Sequence, residues 1–336
     1  MTEFIAKGYR PAFSASFLAP RFWLTWMGLL VLRLSLVLPR GPVNFLGRLV
    51  GRAYFSANRK RREITLINLR LAFPELSKPE RRQLALRHFE VAVNSMLDLP
   101  VLWWASDAYV SKFVSIQGIE HYAKTLAAGR NVVLLTGHFV GLDFGGAIIS
   151  REFPHIGLIK PERNRLIDYF MERGRTRFGA TLYLRDKGMR PVIRAIRSGH
   201  GFYYLPDEDH GPEKSVFVDF FATKAAMLTG AAKLIASCDA VALPAYVRRL
   251  DKSVDGKHGY ELVIHAPIEN FPVGDAQLDA QTAATSLEQN IRKFPEQYMW
   301  TFRIFHSRPN NEKSPYFRPR DVRRAGLENI QPESDS

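Results

Sequence analysis

From residue 132 to residue 265 the chain alternates short apolar runs with longer stretches of helical spacing, and few folds tolerate that rhythm. Val132, Val133, Leu134 and Leu135 form a short apolar run, opened by two β-branched valines, of the kind found in buried strands. Residues 156–159, 201–206 and 241–247 repeat the pattern, and residues 260–265 form a fifth, more alternating segment. Residues 164–178, 189–198 and 225–237 read as helices between them. Strands that alternate with helices predict an α/β domain with a largely parallel central sheet flanked by helices. Ligands in such sheets gather beyond the carboxyl ends of the strands.

The first hundred residues have a different texture. Residues 22–39 are almost wholly apolar and carry Trp23 and Trp26 at one end, with Arg33 the single charge. A helix of that length reaches roughly 27 Å, close to the ~30 Å of a hydrocarbon core. A membrane-inserted helix is therefore expected, with Arg33 snorkelling; a buried core helix is the competing reading. Pro39-Arg40-Gly41-Pro42 lacks the small residues of a signal cleavage site. Basic residues crowd after the segment, including Arg40, Arg48, Arg52 and the run Arg59, Lys60, Arg61, Arg62. The positive-inside rule then keeps the bulk of the protein on the cytoplasmic face. The run 59–62 fits either an anionic leaflet or a solvated helix face.

Residues 43–73 read as helical up to Pro74. Ser77, Pro79 and Glu80 form a capping-box pattern that opens a helix to about Leu97, with Leu84, Phe89, Val93 and Met96 as its buried stripe. The expected division is a helical segment with the membrane anchor over 1–105, an α/β domain over 106–310 and a polar tail over 311–336.

Forty-seven Lys and Arg against thirty-three Asp and Glu give a formal charge of +14, which favours anionic partners. A nucleic acid would be one, but no zinc finger, RNP block or basic zipper occurs, and none is expected to bind. The single cysteine, Cys238, rules out an internal disulfide and a cysteine zinc site. No His-Glu-x-x-His spacing is present, and Asp207-Glu208-Asp209 does not continue into a calcium loop. Neither a metal nor a tightly bound organic cofactor is expected.

His138 follows the run at 132–135 by three residues, and Asp143 follows five later. Five residues of regular helix turn through about 500°, so the two meet only if His138 sits in a turn and Asp143 opens the next helix. A carboxylate beside an imidazole fixes its tautomer and lets it take a proton from a hydroxyl. No G-x-S-x-G elbow offers a serine nucleophile, which favours direct transfer without a covalent acyl-enzyme. By itself the spacing is equally that of a structural histidine and an unrelated aspartate.

Longer blocks carry more weight. Phe17 to Trp26, Asn68 to Leu76, the stretch Gly137 to Asp143, Leu205 to Pro212, Phe217 to Ala222 and Pro295 to Trp300 together make the chain resemble the late lipid A acyltransferases, the lauroyl and myristoyl transferases of lipopolysaccharide biosynthesis. The resemblance runs over nearly the whole sequence, and residues 177–222 look closer to the myristoyl type. It implies a bacterial inner-membrane enzyme that moves an acyl chain from acyl carrier protein to the 3-hydroxyl of an acyl chain on a Kdo-bearing lipid A precursor. His138 would be the general base and Asp143 its orienting partner. The resemblance also points to Arg175 and Asp207 as substrate-binding residues, the arginine for a phosphate or the thioester carbonyl; an exposed helix arginine and a loop carboxylate are their plain readings. Arg190, Arg194 and Arg197 share a helix face that fits either the acidic carrier protein or solvent. A glycerophosphate or lysophospholipid acyltransferase is the rival enzyme, although the Pro-Glu-Gly-Thr-like block of that class is replaced here by Leu205-Pro206-Asp207-Glu208.

Overall fold

A computed structural model of the chain describes residues 8–316; residues 1–7 and residues 317–336 of the expected polar tail lie outside the described residues. Six helices come first: α1 (Trp23–Leu34), α2 (Arg40–Ala57), α3 (Arg59–Ala72), α4 (Lys78–Asp98), α5 (Pro100–Trp104) and α6 (Asp107–Phe113). Then follow β1 (Val114–Gln117), α7 (Ile119–Ala127), β2 (Asn131–Leu135), α8 (Leu142–Glu152), β3 (His155–Ile159), α9 (Arg165–Thr176), β4 (Thr181–Leu184), α10 (Arg190–Arg197) and β5 (Gly201–Tyr204). A hairpin of β6 (Ser215–Phe220) and β7 (Thr223–Leu228) precedes α11 (Gly230–Ser237), β8 (Ala240–Leu250), α12 (Lys252–Asp255), β9 (Gly259–Ile264) and α13 (Ala276–Lys293).

Seven strands form one sheet in the order β1-β9-β8-β2-β5-β3-β4, parallel throughout except between β8 and β9. The expected α/β class is what the chain adopts. Alternation along β2 explains why the sheet is covered on both faces. Val132 and Leu134 pack with Phe144, Ala147 and Ile148 of α8, whereas Val133 and Leu135 pack with Val192 and Ile196 of α10 and Leu234 and Ile235 of α11. Residues 225–227, expected in a helix, are in strand β7. Its antiparallel pairing with β6 buries Ala225, Ala226 and Met227, and the helix starts only at Gly230.

The capping box at Ser77 and Glu80 forms as the sequence indicates, and Leu84, Phe89 and Val93 are buried, but Met96 is 61% exposed. The stretch 43–73 is two helices rather than one. Asn58 ends α2 and caps α3, its side chain accepting the Arg61 N–H. Around them a buried ion network joins the helices to the sheet. Asp98 accepts from Arg249 Nε at 2.9 Å, from Arg40 at 2.9 Å and from the Tyr260 hydroxyl at 3.0 Å, while Arg249 also donates to Asn44 at 2.6 Å.

The single helix expected over 22–39 is also divided. Ser35 closes α1, its hydroxyl bonded to the carbonyls of Leu32 and Leu97, and Pro39 opens α2. Twelve residues of α1 reach roughly 18 Å, and no described helix is long and apolar enough to cross a membrane. Trp26, at one end of the segment expected to enter the membrane, packs edge-on against Phe170 and donates to the Phe17 carbonyl at 2.9 Å. The outer side of α1 and α2 nevertheless stays apolar: Leu24, Met27, Leu30, Val31, Phe45, Leu46, Leu49 and Val50 are all exposed. Two of the arginines in the 59–62 run serve the fold, Arg61 donating to the Thr301 carbonyl and Arg62 to those of Phe55 and Ser56.

Candidate active site

His138 stands in the turn between β2 and α8, beyond the carboxyl end of a central strand. The turn is held from across the sheet. Phe139 bridges Tyr298, the Val140 N–H donates to the Gln297 carbonyl at 2.9 Å, and Met299 N–H donates to the His138 carbonyl at 2.8 Å. The backbone at Gly137 passes so close that a β-carbon there would come within 2.6 Å of Leu287 and 3.1 Å of Asp207, so a side chain at this position would push Leu287 aside and crowd the carboxylate.

The carboxylate against His138 is Asp207, not Asp143. Asp207 Oδ1 lies 2.9 Å from His138 Nδ1, and Oδ2 accepts the His138 backbone N–H at 2.8 Å and the Tyr298 hydroxyl at 2.7 Å. A carboxylate only accepts, so Nδ1 carries the proton and Nε2 is the ring atom able to take one. Burial alone would push the His138 pKa down, but Asp207, and behind it Glu208, raise it above the ordinary histidine value. Burial would likewise raise Asp207; the charge and hydrogen bonds of His138, helped by Tyr298, hold it below the ordinary carboxylate range. Burial and Asp207 together push the Tyr298 phenol well up, so it remains a donor.

Asp143 does open the helix after the turn, as the spacing required, but its partner is on α9. Asp143 Oδ1 accepts from Arg175 Nε at 2.7 Å, and Glu172 accepts from another nitrogen of Arg175 at 2.7 Å. Arg175 lies on the cavity side of α9 between two carboxylates, which together outweigh burial and keep it charged. Desolvation lifts Glu172 to about 7 despite the adjacent guanidinium. The pairing of His138 with Asp143 therefore gives way to two pairs, His138–Asp207 and Asp143–Arg175.

His138 of the first pair and both members of the second line one cavity of about 440 Å³. Its origin lies in the sheet. β5 pairs with β2 as far as Tyr204, but with β3 only at Gly201 and Phe202. Beyond that point β3 and β5 part, and the gap is walled by Gly157, Leu158 and Ile159 on one side and by Tyr203, Tyr204 and Leu205 on the other. Helix α8 roofs it with Leu142, Gly146, Ala147 and Ser150. Charged residues also line it: Lys160 and Glu162 follow β3, and Arg185 donates to Glu208 at 2.8 Å and pairs with His210 at 2.7 Å. An apolar slot beneath a base and a guanidinium suits a lipid chain whose reactive end stops at the mouth.

Tyr298, Glu172, Arg185 and Glu208 were missed as site residues. Tyr298 and Glu208 do fall inside the blocks 295–300 and 205–212, whose order was the available signal; Glu172 and Arg185 carried none. Arg190, Arg194 and Arg197 are exposed on α10. No group of three metal-ligating side chains is found among the described residues.

The site is thus a histidine–carboxylate pair and a guanidinium held by two carboxylates, set at the strand ends of an α/β sheet beside one cavity. Residues 10–307 match the family of bacterial lipid A biosynthesis acyltransferases, and the chain belongs to it. The lipid A biosynthesis lauroyltransferase of Escherichia coli (strain K12) is 34% identical over 91% of this chain and 99% of its own length. The myristoyltransferase of the same organism is 32% identical over 92% and 95%, and the palmitoleoyltransferase 30% over 90% and 98%. Identities this close do not single out the myristoyl type. The protein is an acyltransferase.

Proposed function

We propose that the protein transfers a fatty acyl chain from acyl carrier protein to the 3-hydroxyl of an acyl chain on a Kdo-bearing lipid A precursor, without a covalent acyl-enzyme. The observation that carries this reading is the convergence of His138 and Arg175 on one apolar slot. His138 Nε2 takes the proton of the acceptor hydroxyl as its oxygen bonds to the thioester carbonyl carbon. Arg175, held by Asp143 and Glu172, faces the negative charge that grows on the carbonyl oxygen. The carbon–sulfur bond then breaks, and the imidazolium returns the proton to the departing thiolate. Asp207 holds the imidazole in the required tautomer throughout. Asp143 thus acts through Arg175 rather than through the histidine. The exposed arginines of α10, next to the mouth residue Met189, are offered as the place where the acidic carrier protein rests.

The membrane reading changes in kind. With α1 too short to span, the α1–α2 pair is proposed to lie in the plane of the cytoplasmic leaflet of the inner membrane, its apolar side among the acyl chains. The exposed apolar residues of both helices support this, since clustered apolar side chains left open to solvent mark interaction sites. Purified protein offered acyl carrier protein carrying a labelled chain, with the lipid A precursor and a lysophospholipid in parallel, tests the proposal. Label on the lipid A precursor is expected; label on the lysophospholipid alone would overturn the acceptor.

A further inference from the structure

Two adjacent glycines lie inside helix α8, where each costs stability relative to alanine. Close packing accounts for Gly145. A β-carbon there would come within 2.2 Å of Val247 and 2.9 Å of the Tyr203 hydroxyl. Gly146 has no such constraint. A β-carbon at that position meets only the Tyr203 ring, at 3.9 Å, so the fold would accept alanine or a larger residue. What a side chain would occupy is the cavity, since Gly146 lines it.

The direction of α8 puts Gly146 partway down the slot. Asp143 and Ser150 both line the cavity, Asp143 one-quarter exposed beyond the strand ends and Ser150 buried, so the helix runs inward from Asp143 to Ser150 over about 10 Å, with Gly146 about 4.5 Å along it. Opposite, the same depth is reached by Tyr203. Below it the slot ends on Ser150, His155, Ile156 and Phe202, where the β3–β5 ladder closes. Ile156, Phe202 and both ring nitrogens of His155 are fully covered, and burial holds that imidazole neutral, its pKa lowered to about 3. The floor is therefore uncharged and fixed, and the way to it passes the bare face of Gly146, beside the Tyr203 ring.

We infer that Gly146 sets the length of acyl chain the enzyme accepts: the missing side chain opens the lower half of the slot to long donors. This rests on the acyltransferase reading of the slot. Substituting Gly146→Leu fills the passage below the reactive end and leaves the mouth pairs untouched. Shorter chains stop above it and longer ones collide.

The test compares wild type with Gly146→Ala and Gly146→Leu on acyl carrier protein loaded with decanoyl, lauroyl, myristoyl and palmitoyl chains, measuring kcat/KM for each. The ratio of the shortest to the longest donor is expected to rise roughly tenfold or more in Gly146→Leu, the scale on which one badly accommodated group is rejected by an apolar pocket, with Gly146→Ala between the two. An unchanged ratio, or equal loss on all four donors in a variant that melts cooperatively, would overturn the inference. Should Gly146→Leu not fold, the Gly146→Ala ratio decides by the same criterion. Equilibrium binding of the four free fatty acids to wild type and variant is read in parallel. If wild type transfers no chain at all, the acyltransferase reading fails and the binding ratio alone decides the role of Gly146.

Discussion

Asp207 grips His138 at two points, one carboxylate oxygen 2.8 Å from the backbone nitrogen and the other 2.9 Å from Nδ1 of the ring. The first bond fixes where the turn sits and the second fixes the ring within it. His138→Ala is expected to lower kcat by ~10²–10⁴-fold, the usual worth of a positioned proton-transfer group. Asp207→Asn has a more specific signature. A general base works in its neutral form, so kcat/KM of the wild type rises as pH climbs through the raised pKa of His138, above the ordinary value of about 6.5. Removing the Asp207 charge leaves burial as the main influence, which lowers that pKa. The ascending limb of the pH profile should therefore move to lower pH while the maximal rate falls. A profile that keeps its midpoint in Asp207→Asn would dissociate the carboxylate from the base.

Arg175 is half-buried between two carboxylates, of which only Glu172 is fully covered, and removing it strands them unequally. Arg175→Ala should cost about 10²–10³-fold in kcat, comparable to the loss of an oxyanion donor, and Arg175→Lys should restore little because lysine lacks the planar fork. The variant should also be less stable. Glu172 has a folded-state pKa of about 7, above its ordinary value, so its contribution favours folding at low pH and is lost as pH rises from the ordinary glutamate range through about 7. Without the guanidinium the loss deepens. Adding Glu172→Gln to Arg175→Ala is therefore expected to recover melting temperature, more at pH 8 than at pH 5. Equal melting temperatures for the single and double variants across that range would remove Glu172 from the account.

The sheet was legible because burial on both faces forces continuous apolar runs, as at residues 132–135. β1, β4, β6 and β7 were not: β1 and β4 are the short edge strands and β6 and β7 a separate hairpin, each with polar residues such as Ser115, Thr181, Ser215 and Lys224, and the edge strands pair only with partners remote in sequence. Spacing put His138 in a turn and Asp143 at a helix start, and both stand there. It could not supply Asp207, because 69 residues separate it from His138 and contact arises only when β5 is laid beside β2. The break at Ser35 was hidden for a similar reason: the residues around it are apolar, and one of the carbonyls its hydroxyl meets is Leu97, 62 positions away.

Asp98 carries a stability prediction separate from catalysis. Its carboxylate is fully buried and balances Arg40 and Arg249 while accepting from Tyr260, so it ties α2, α4, β8 and β9 together. Asp98→Ala leaves two arginine charges uncompensated, one of them nine-tenths buried. The expected cost is about 3–5 kcal/mol, seen as a lower denaturant midpoint with an unchanged slope. Asp98→Asn retains an acceptor and should fall between. A loss under about 1 kcal/mol for Asp98→Ala would show that water reaches the arginines and that the network does not hold the helices to the sheet.

The apolar side of α1 and α2 gives the last prediction, about where the enzyme works. Leu24 is 80% exposed, Val31 60% and Leu49 45%, so replacing all three by aspartate removes little packing from the fold. In a bilayer each would bury a side chain worth about 1.5–3 kcal/mol, and three carboxylates would add repulsion from an anionic surface. The triple variant should melt within a few degrees of wild type and yet lose at least tenfold in partitioning to vesicles containing phosphatidylglycerol, measured by flotation. Arg21, Arg33 and Arg48 stand on the same two helices or beside them and should add a salt-sensitive part to the binding of the wild type. The part that survives high salt is then the apolar insertion. If the triple variant floats with vesicles as wild type does, the α1–α2 face is not the membrane contact.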